Sequence, residues 1–248
     1  MNCKLTRDSL LFSAILPFTL FPAADIFFFP QNLAAAPIWF ILFDLISHMT
    51  APVTCLMLVK AYRNSHHRVR IFFGVLLFAV IAQFPFARFH GFRLFEGFNM
   101  FFSLAAGLLI LICFDSIHHK AWKILAIVFL FGLSIFCEWS FSSVLWILLF
   151  YALRESNRKQ FVLAMIVLIG QTITVSCLWH LKMGEIWASS GLFVVAQSLA
   201  AGIALLVALY ESGRECRRQQ PMMKRFFYLY YPIHFAVTGL VATVLVQV

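Results

Sequence analysis

Residues 60–86 read KAYRNSHHRVRIFFGVLLFAVIAQFPF, in which four basic side chains precede an apolar run over residues 71–86. A helix that crosses a membrane needs about 20 predominantly apolar residues, because the hydrocarbon core is about 30 Å thick. Cytoplasmic loops of membrane proteins are enriched in Lys and Arg. The stretch therefore predicts a membrane span that starts at the cytoplasmic face.

The same alternation of basic segments and apolar runs extends in both directions from this stretch. Nine runs are predicted to span the membrane: 9–29, 37–59, 71–86, 98–114, 124–137, 141–153, 161–179, 188–209 and 227–248. Of the 19 Lys and Arg residues, sixteen lie in every second gap between runs, and the other gaps hold only Arg88, Arg93 and Lys182. The positive-inside rule then predicts a cytoplasmic N-terminus and an outer C-terminus.

Composition supports an all-α, polytopic membrane helix bundle that forms one integral domain over residues 1–248. The chain is 62% hydrophobic and 12% charged, and it contains 30 phenylalanines. The pI near 9.5 follows from short basic loops beside apolar spans, which suit anionic membrane lipids. The basic loops do not form the pattern of basic and aromatic residues that is typical of a nucleic-acid-binding groove, so nucleic acid is not an expected partner.

The two short runs, the N-terminal run and the cysteines each fit more than one interpretation. The fifth and sixth runs are short and are separated only by Glu138, Trp139 and Ser140. They predict a tight helical hairpin at the outer face, although a shallow re-entrant pair would give the same pattern.

The N-terminal run is too long for a typical signal peptide and predicts an uncleaved span. The six cysteines lack paired spacing, so neither a disulfide framework nor a metal site is expected.

Ionisable residues within spans are candidates for function, because each is costly in a membrane without a partner or water. Asp25 lies near the outer end of the first span, and Asp44 and His48 lie in the second. Four-residue spacing puts Asp44 and His48 on one helix face. The carboxylate would orient the ring and raise its basicity, as a general base requires. The same pair would also serve to join helices through hydrogen bonds.

The outer segment between the third and fourth spans supplies the candidate substrate-binding residues Arg88, Arg93, Glu96 and Asn99. Because positive charge is disfavoured in outer segments, its two arginines are expected to pair with Asp25, Asp44 or Glu96, or to hold an anionic ligand. His234, in the last span, is a fourth candidate catalytic residue beside Asp25, Asp44 and His48. A lone histidine in an aromatic segment also fits a structural role.

Several of these segments resemble the TraX family of multispanning inner-membrane proteins. The similarity is clearest in two pieces, Gln83-Phe84-Pro85-Phe86 and Tyr231-Pro232-Ile233-His234. It extends to Ala51-Pro52-Val53 and Glu96-Gly97-Phe98-Asn99. In the resemblance, His234 matches the C-terminal histidine of the family. Enzymatic members carry an Asp-His pair in the first span, where this chain reads Ala24-Asp25-Ile26 and lacks the histidine. Those members also carry a basic residue shortly before the proline of the second span, and His48 matches that residue.

The family includes acetyltransferases that modify the N-terminal amine of conjugative pilin, and FimB-type accessory proteins of fimbrial biogenesis. The resemblance therefore implies a multi-pass protein of the bacterial inner membrane that assists fimbrial, type IV pilus or conjugative pilin biogenesis by acting on pilin subunits before assembly. The alternative is a membrane-bound acyltransferase that acetylates the pilin amine or an extracytoplasmic sugar.

A transferase would use acetyl-CoA or another acyl donor, and no cofactor is otherwise expected. The expected partners are a pilin or fimbrial subunit and membrane lipids. In the fourth span, the small residues Ala105, Ala106 and Gly107 are expected to permit close approach of a pilin helix.

Overall fold

A computed structural model of the chain describes residues 50–91, 93–152, 230 and 232–241, with single helical positions at 162, 166, 169, 170 and 202. The candidate residues Asp25, Asp44 and His48 lie outside these residues. The described part is helical, with turns between helices and no strand within it, as the all-α prediction requires.

Six helices are described, and they coincide with predicted spans. Their bounds are α1 Thr50–Arg63, α2 Arg68–Phe89, α3 Met100–Ser116, α4 Lys120–Ser134, α5 Ser140–Ala152 and α6 Pro232–Val241. Helices α2 to α5 correspond to the third to sixth predicted spans, whereas α1 and α6 cover parts of the second and ninth. The predicted order of helices and turns is therefore confirmed within the described residues.

Helix α2 is the one described helix that is long and apolar enough to cross a membrane. It has 22 residues and a mean hydropathy of 2.0 in its best window, and at about 1.5 Å per residue it extends about 33 Å. The other described helices are shorter. The count of nine spans and the orientation of the termini stay predictions.

The chain divides into two compact units. The first contains Met1–Thr54 and Glu155–Gln219, and the second contains Cys55–Arg154 and Gln220–Val248. Few residues of the first unit are described, whereas the second includes most of α1 and all of α2 to α6. The prediction of a single domain is not tested by this division.

Contacts between the turns show that α2 to α5 run in alternating directions. At one end, the backbone N–H of Phe98 donates to the Phe136 carbonyl at 3.0 Å, and the N–H of Glu138 donates to the Phe98 carbonyl at 2.7 Å. At the other end, Arg68 at the start of α2 contacts Asp115 near the end of α3. We call the end at Phe98, Phe136 and Glu138 the motif end of the unit, and the end at Arg68 and Asp115 the basic end.

The described Lys and Arg residues of this unit are segregated between the two ends. The motif end carries Arg88 and Arg93, whereas the basic end carries the larger set: Lys60, Arg63, Arg68, Arg70, Lys120 and Lys123. This segregation is what alternating spans with basic loops on one side produce. The hairpin turn at Glu138 lies at the motif end, the end that also carries Arg88 and Arg93. Its predicted location at the outer face stays a prediction.

The small residues of α3 are used inside the protein. Ala105 is buried, and a Cβ added at Gly107 would collide with the side chain of Ile147 on α5. Ile147 is itself fully buried, so its side chain has little room to move aside, and the missing side chain of Gly107 helps α3 and α5 to approach closely. Helix α5 occupies the surface at Gly107. The predicted contact of this small-residue segment with a pilin helix stays a prediction.

A stripe of exposed apolar side chains runs along α2. It contains Phe73, Leu77, Ile81 and Phe84, which are 50–71% exposed. Their spacing of three or four residues puts them on one helix face. Such a continuous apolar surface suits contact with lipid or with another apolar helix, whereas water would disfavour it. We call this surface the α2 stripe.

Candidate functional site

Gln83 ties α2 to the segment before α3 at the motif end. Its buried side-chain amide donates from Nε2 to the carbonyls of Leu94, at 2.8 Å, and Gly97, at 2.7 Å. Its Oε1 accepts from the backbone N–H and the Nδ2 of Asn99, at 3.2 and 3.0 Å. Since both amide protons and the oxygen are engaged, the side chain fixes the path of residues 94–99.

Asn99 begins α3 and completes this network. Its Oδ1 accepts from the Phe101 N–H at 3.0 Å, which is the hydrogen bond of an N-cap. Its Nδ2 also donates to the Ala79 carbonyl at 2.8 Å, and the residue is fully buried. The structure therefore gives Asn99 a positioning role in the fold. Its predicted contact with substrate stays a prediction.

Arg93 and Glu96 pair with each other, as one of the predicted alternatives required. The Arg93 N–H donates to Glu96 Oε2 at 2.8 Å, and Arg93 Nε lies 3.8 Å from Glu96 Oε1. The two side chains are 91% and 53% exposed, so the ion pair contributes at most about 1 kcal/mol to stability. Arg88 is exposed on the last turn of α2, and no carboxylate of the described residues pairs with it.

Glu138 joins this end of the unit although the sequence pattern assigned it only to a turn. Its Oε2 accepts from the Met100 N–H at 3.0 Å, at the start of α3. A carboxylate is favourable there because helix N-termini carry partial positive charge. The acidic residue between two apolar runs was the one sign in the sequence that this turn has a polar contact. The sequence could not identify the partner, because Met100 lies 38 residues away.

His234 is buried in α6, where the family's C-terminal histidine is expected. Its ring stacks on Tyr230, with centroids 5.6 Å apart and an interplanar angle of 12°. The neighbouring Phe235 packs edge-on against Phe86 at 5.6 Å, and its ring lies 5.8 Å from that of His90. Phe86, the last residue of one motif piece, therefore lies beside Phe235, which directly follows the other piece.

The motif end thus combines a rigid polar network with a buried imidazole in an aromatic surrounding. Gln83 and Asn99 hold the backbone, and Phe86 contacts the helix that carries His234. An imidazole can accept and return a proton near neutral pH. Of the predicted catalytic group, the described residues include only His234.

A second polar cluster, at the basic end, centres on Asp115. Asp115 Oδ2 accepts from the Tyr62 hydroxyl at 2.9 Å and from Arg68 Nη1 at 2.6 Å, while Oδ1 accepts from the Tyr151 hydroxyl at 2.5 Å. Arg63 donates to the Tyr151 carbonyl. The cluster therefore connects α1, α2, α3 and α5. Sequence reasoning missed it because Asp115 reads as an ordinary residue flanking a span.

Tyr62 stays a hydrogen-bond donor in this cluster. Burial, reinforced by the hydrogen bond to Asp115 and its negative charge, raises the pKa of Tyr62 above its ordinary value. The hydroxyl is therefore neutral over the physiological pH range. The guanidinium of Arg68 lies over the Tyr62 ring, 4.9 Å from its centroid.

Comparison with known proteins identifies the family. A family model described as TraX protein matches residues 26–242. No curated protein and no solved structure gives a significant match. The matched region covers most of the chain and includes all the motif pieces named above. The chain belongs to the TraX family, a membrane-associated family connected with pilin and conjugation.

Proposed function

We propose that this protein is an integral inner-membrane accessory protein for pilus biogenesis, which acts on pilin subunits before they assemble. Its nine helices would span the membrane with the N-terminus in the cytoplasm. Family membership and the apolar α2 stripe support this role. The client would be the pilin of a fimbrial, type IV or conjugative system, met while its apolar helix is still in the bilayer.

The observation that carries the proposal is the difference in exposure among the side chains of Gln83-Phe84-Pro85-Phe86. Gln83 and Phe86 are buried at 5% and 2% exposure, whereas Phe84 is 71% exposed. Gln83 and Phe86 hold the motif end together, and neither contact uses Phe84. Of Gln83, Phe84 and Phe86, only Phe84 is thus available to a second molecule.

The α2 stripe gives a partner helix a suitable surface. It leads along α2 to Phe84 and then to the motif end. In lipid, helices associate through packing and hydrogen bonds, since the hydrophobic effect gives no preference for a helix over a lipid chain. A row of bulky side chains ending beside a fixed polar network offers such packing. Pilin would bind its apolar helix along the α2 stripe.

A photo-crosslinking experiment in cells tests this contact. The photoreactive amino acid benzoylphenylalanine replaces Phe84 in one variant and Phe129 in a control. Phe129 lies on α4 and is 64% exposed, close to the 71% of Phe84. Position 84 should capture unassembled pilin, and position 129 should not. Equal capture at both positions, or none at position 84, would contradict the proposed contact.

A second candidate function is acyl transfer to the N-terminal amine of pilin or to an extracytoplasmic sugar. It is favoured by the burial of His234 at the motif end. In this reaction the acceptor attacks the acyl carbonyl, the donor's leaving group departs, and a base takes the acceptor's proton. His234 or the proposed Asp44 and His48 pair would be that base. The acyl donor would be acetyl-CoA or a similar ester.

A further inference from the structure

We propose that the basic end of the second unit binds a phosphate-bearing ligand in a pocket beside Asp115. The pocket has a volume of about 390 Å³, which is within the range of small-molecule sites. Its polar lining consists of Tyr62, His66, His67, Arg68, Arg70, Asp115 and Ser116. The proposal concerns a different end of the unit from the motif end and does not depend on a pilin partner.

Arg68 is held in position for such a ligand. Its Nη1 donates to Asp115 Oδ2 at 2.6 Å, and its guanidinium lies over the ring of Tyr62. A guanidinium has five N–H donors, so this contact leaves others for a further oxygen acceptor. A fixed planar fork suits phosphate recognition because little side-chain entropy remains to be lost on binding.

Asp115 does not make the pocket anionic. Its carboxylate accepts hydrogen bonds from two tyrosine hydroxyls and from Arg68. The charge of Asp115 is thereby offset by that of Arg68, while Arg70 adds a positive charge that no carboxylate of the described residues neutralises. The pocket is therefore net positive and favours an anion.

The start of α2 adds to this preference. Arg68 and Arg70 lie in the first turn of a 22-residue helix that has no acidic residue there and no side-chain hydrogen bond from His67, its N-cap. The first backbone N–H groups of a helix favour an anion. A lipid headgroup and a soluble phosphate compound present the same chemical group to this pocket, and a basic pocket at a cytoplasmic membrane face is suited to either.

Arg70→Gln tests the proposal directly, with Lys120→Gln as the matched control. Both changes remove one positive charge at the basic end, both side chains are exposed, and Lys120 does not line the pocket. Full-length protein in detergent is titrated with phosphatidic acid or phosphatidylcholine, and bound lipid is counted by native mass spectrometry. Inorganic phosphate serves as the soluble probe and competitor.

The wild-type protein should retain phosphatidic acid in preference to phosphatidylcholine, or should bind inorganic phosphate. Arg70→Gln should weaken that binding about tenfold, as the loss of a charge-assisted hydrogen bond does, whereas Lys120→Gln should change it little. Binding of inorganic phosphate without retention of phosphatidic acid would identify a soluble ligand as the source, whereas retention of phosphatidic acid that excess inorganic phosphate does not displace would identify a lipid headgroup.

Two results would overturn the proposal. Equal weakening by Arg70→Gln and Lys120→Gln would show only a general attraction of anions to the basic end. Unchanged binding in Arg70→Gln would remove the pocket from consideration. Circular dichroism and size-exclusion chromatography check that the variants fold, and Arg70→Lys, which keeps the charge, should recover part of the binding.

Discussion

The ring of Phe86 packs edge-on against the ring of Phe235, with 5.6 Å between their centroids. These residues belong to α2 and α6, which lie far apart in sequence. Phe86 ends one of the two clearest family motif pieces, and Phe235 directly follows the other. An aromatic pair of this geometry contributes about 0.5–1.5 kcal/mol beyond its buried area. The contact brings two segments that are distant in sequence together at one end of the unit.

Replacing Gln83 should destabilise the motif end. Gln83→Leu keeps the side-chain size but leaves the buried groups of Asn99 and the Leu94 and Gly97 carbonyls without this partner. We expect a loss of about 1–3 kcal/mol in the free energy of unfolding, measured by denaturation in detergent. Phe84→Leu, on the exposed stripe, is the control and should change stability little. An unchanged unfolding free energy in Gln83→Leu would contradict the role of the network.

Gly107 and Gly74 form a matched pair for testing helix packing. A Cβ at Gly107 meets the side chain of Ile147, whereas a Cβ at Gly74 on α2 has nothing within 4 Å. Gly107→Ala should therefore cost about 1–3 kcal/mol, while Gly74→Ala should be neutral or slightly stabilising. Adding Ile147→Val should restore part of the loss in Gly107→Ala. If both alanine variants have the same unfolding free energy, α3 and α5 do not meet at Gly107.

The Tyr62 hydroxyl should contribute to stability without pH dependence near neutrality. Its raised pKa means that folding favours the neutral hydroxyl. The stabilisation is then fully present below the ordinary tyrosine pKa of about 10 and is lost as pH rises through the higher folded pKa. Tyr62→Phe should cost about 1 kcal/mol, with the same difference from wild type at about pH 6 and pH 9. A difference that disappears by about pH 9 would contradict this assignment.

The sequence predicts α2 to α5 because each helix is an apolar run bounded by polar or basic residues, which is the pattern of membrane-spanning helices. It does not predict the partners of Gly107 or Gln83, since helix packing and buried hydrogen bonds depend on residues distant in sequence. Gly107 is an example. Its small size indicates close helix approach, but only the structure identifies α5 as the helix that approaches it. Asp115 was missed because its three hydrogen-bond donors come from three other helices.

Variants of His234 separate the two proposed functions. His234→Gln keeps a polar side chain of similar size in the aromatic surrounding of α6. If the ring is the base of an acyltransferase, this change should abolish an acyl group found on pilin in the wild-type strain, while leaving the protein in the membrane. If the ring is structural, pilin mass should be unchanged. The same assay applied to His48→Gln with Asp44→Asn tests that predicted pair.

The membrane topology is tested by reporter fusions. Fusions after Lys60, Arg154 and Arg218 should report cytoplasm, and a fusion after Val248 should report the outer side, because basic segments stay inside. Cytoplasmic activity of the fusion after Val248, with cytoplasmic activity also after Arg218, would mean that the run over residues 227–248 does not cross the membrane.

The most direct test of the proposed role is a clean deletion of the gene, followed by counting surface pili and measuring the mass and lifetime of pilin. A protein that acts on pilin before assembly should, when absent, leave fewer pili or an altered pilin, while general secretion continues. Unchanged pilus number, pilin mass and pilin lifetime in the deletion strain would contradict the account.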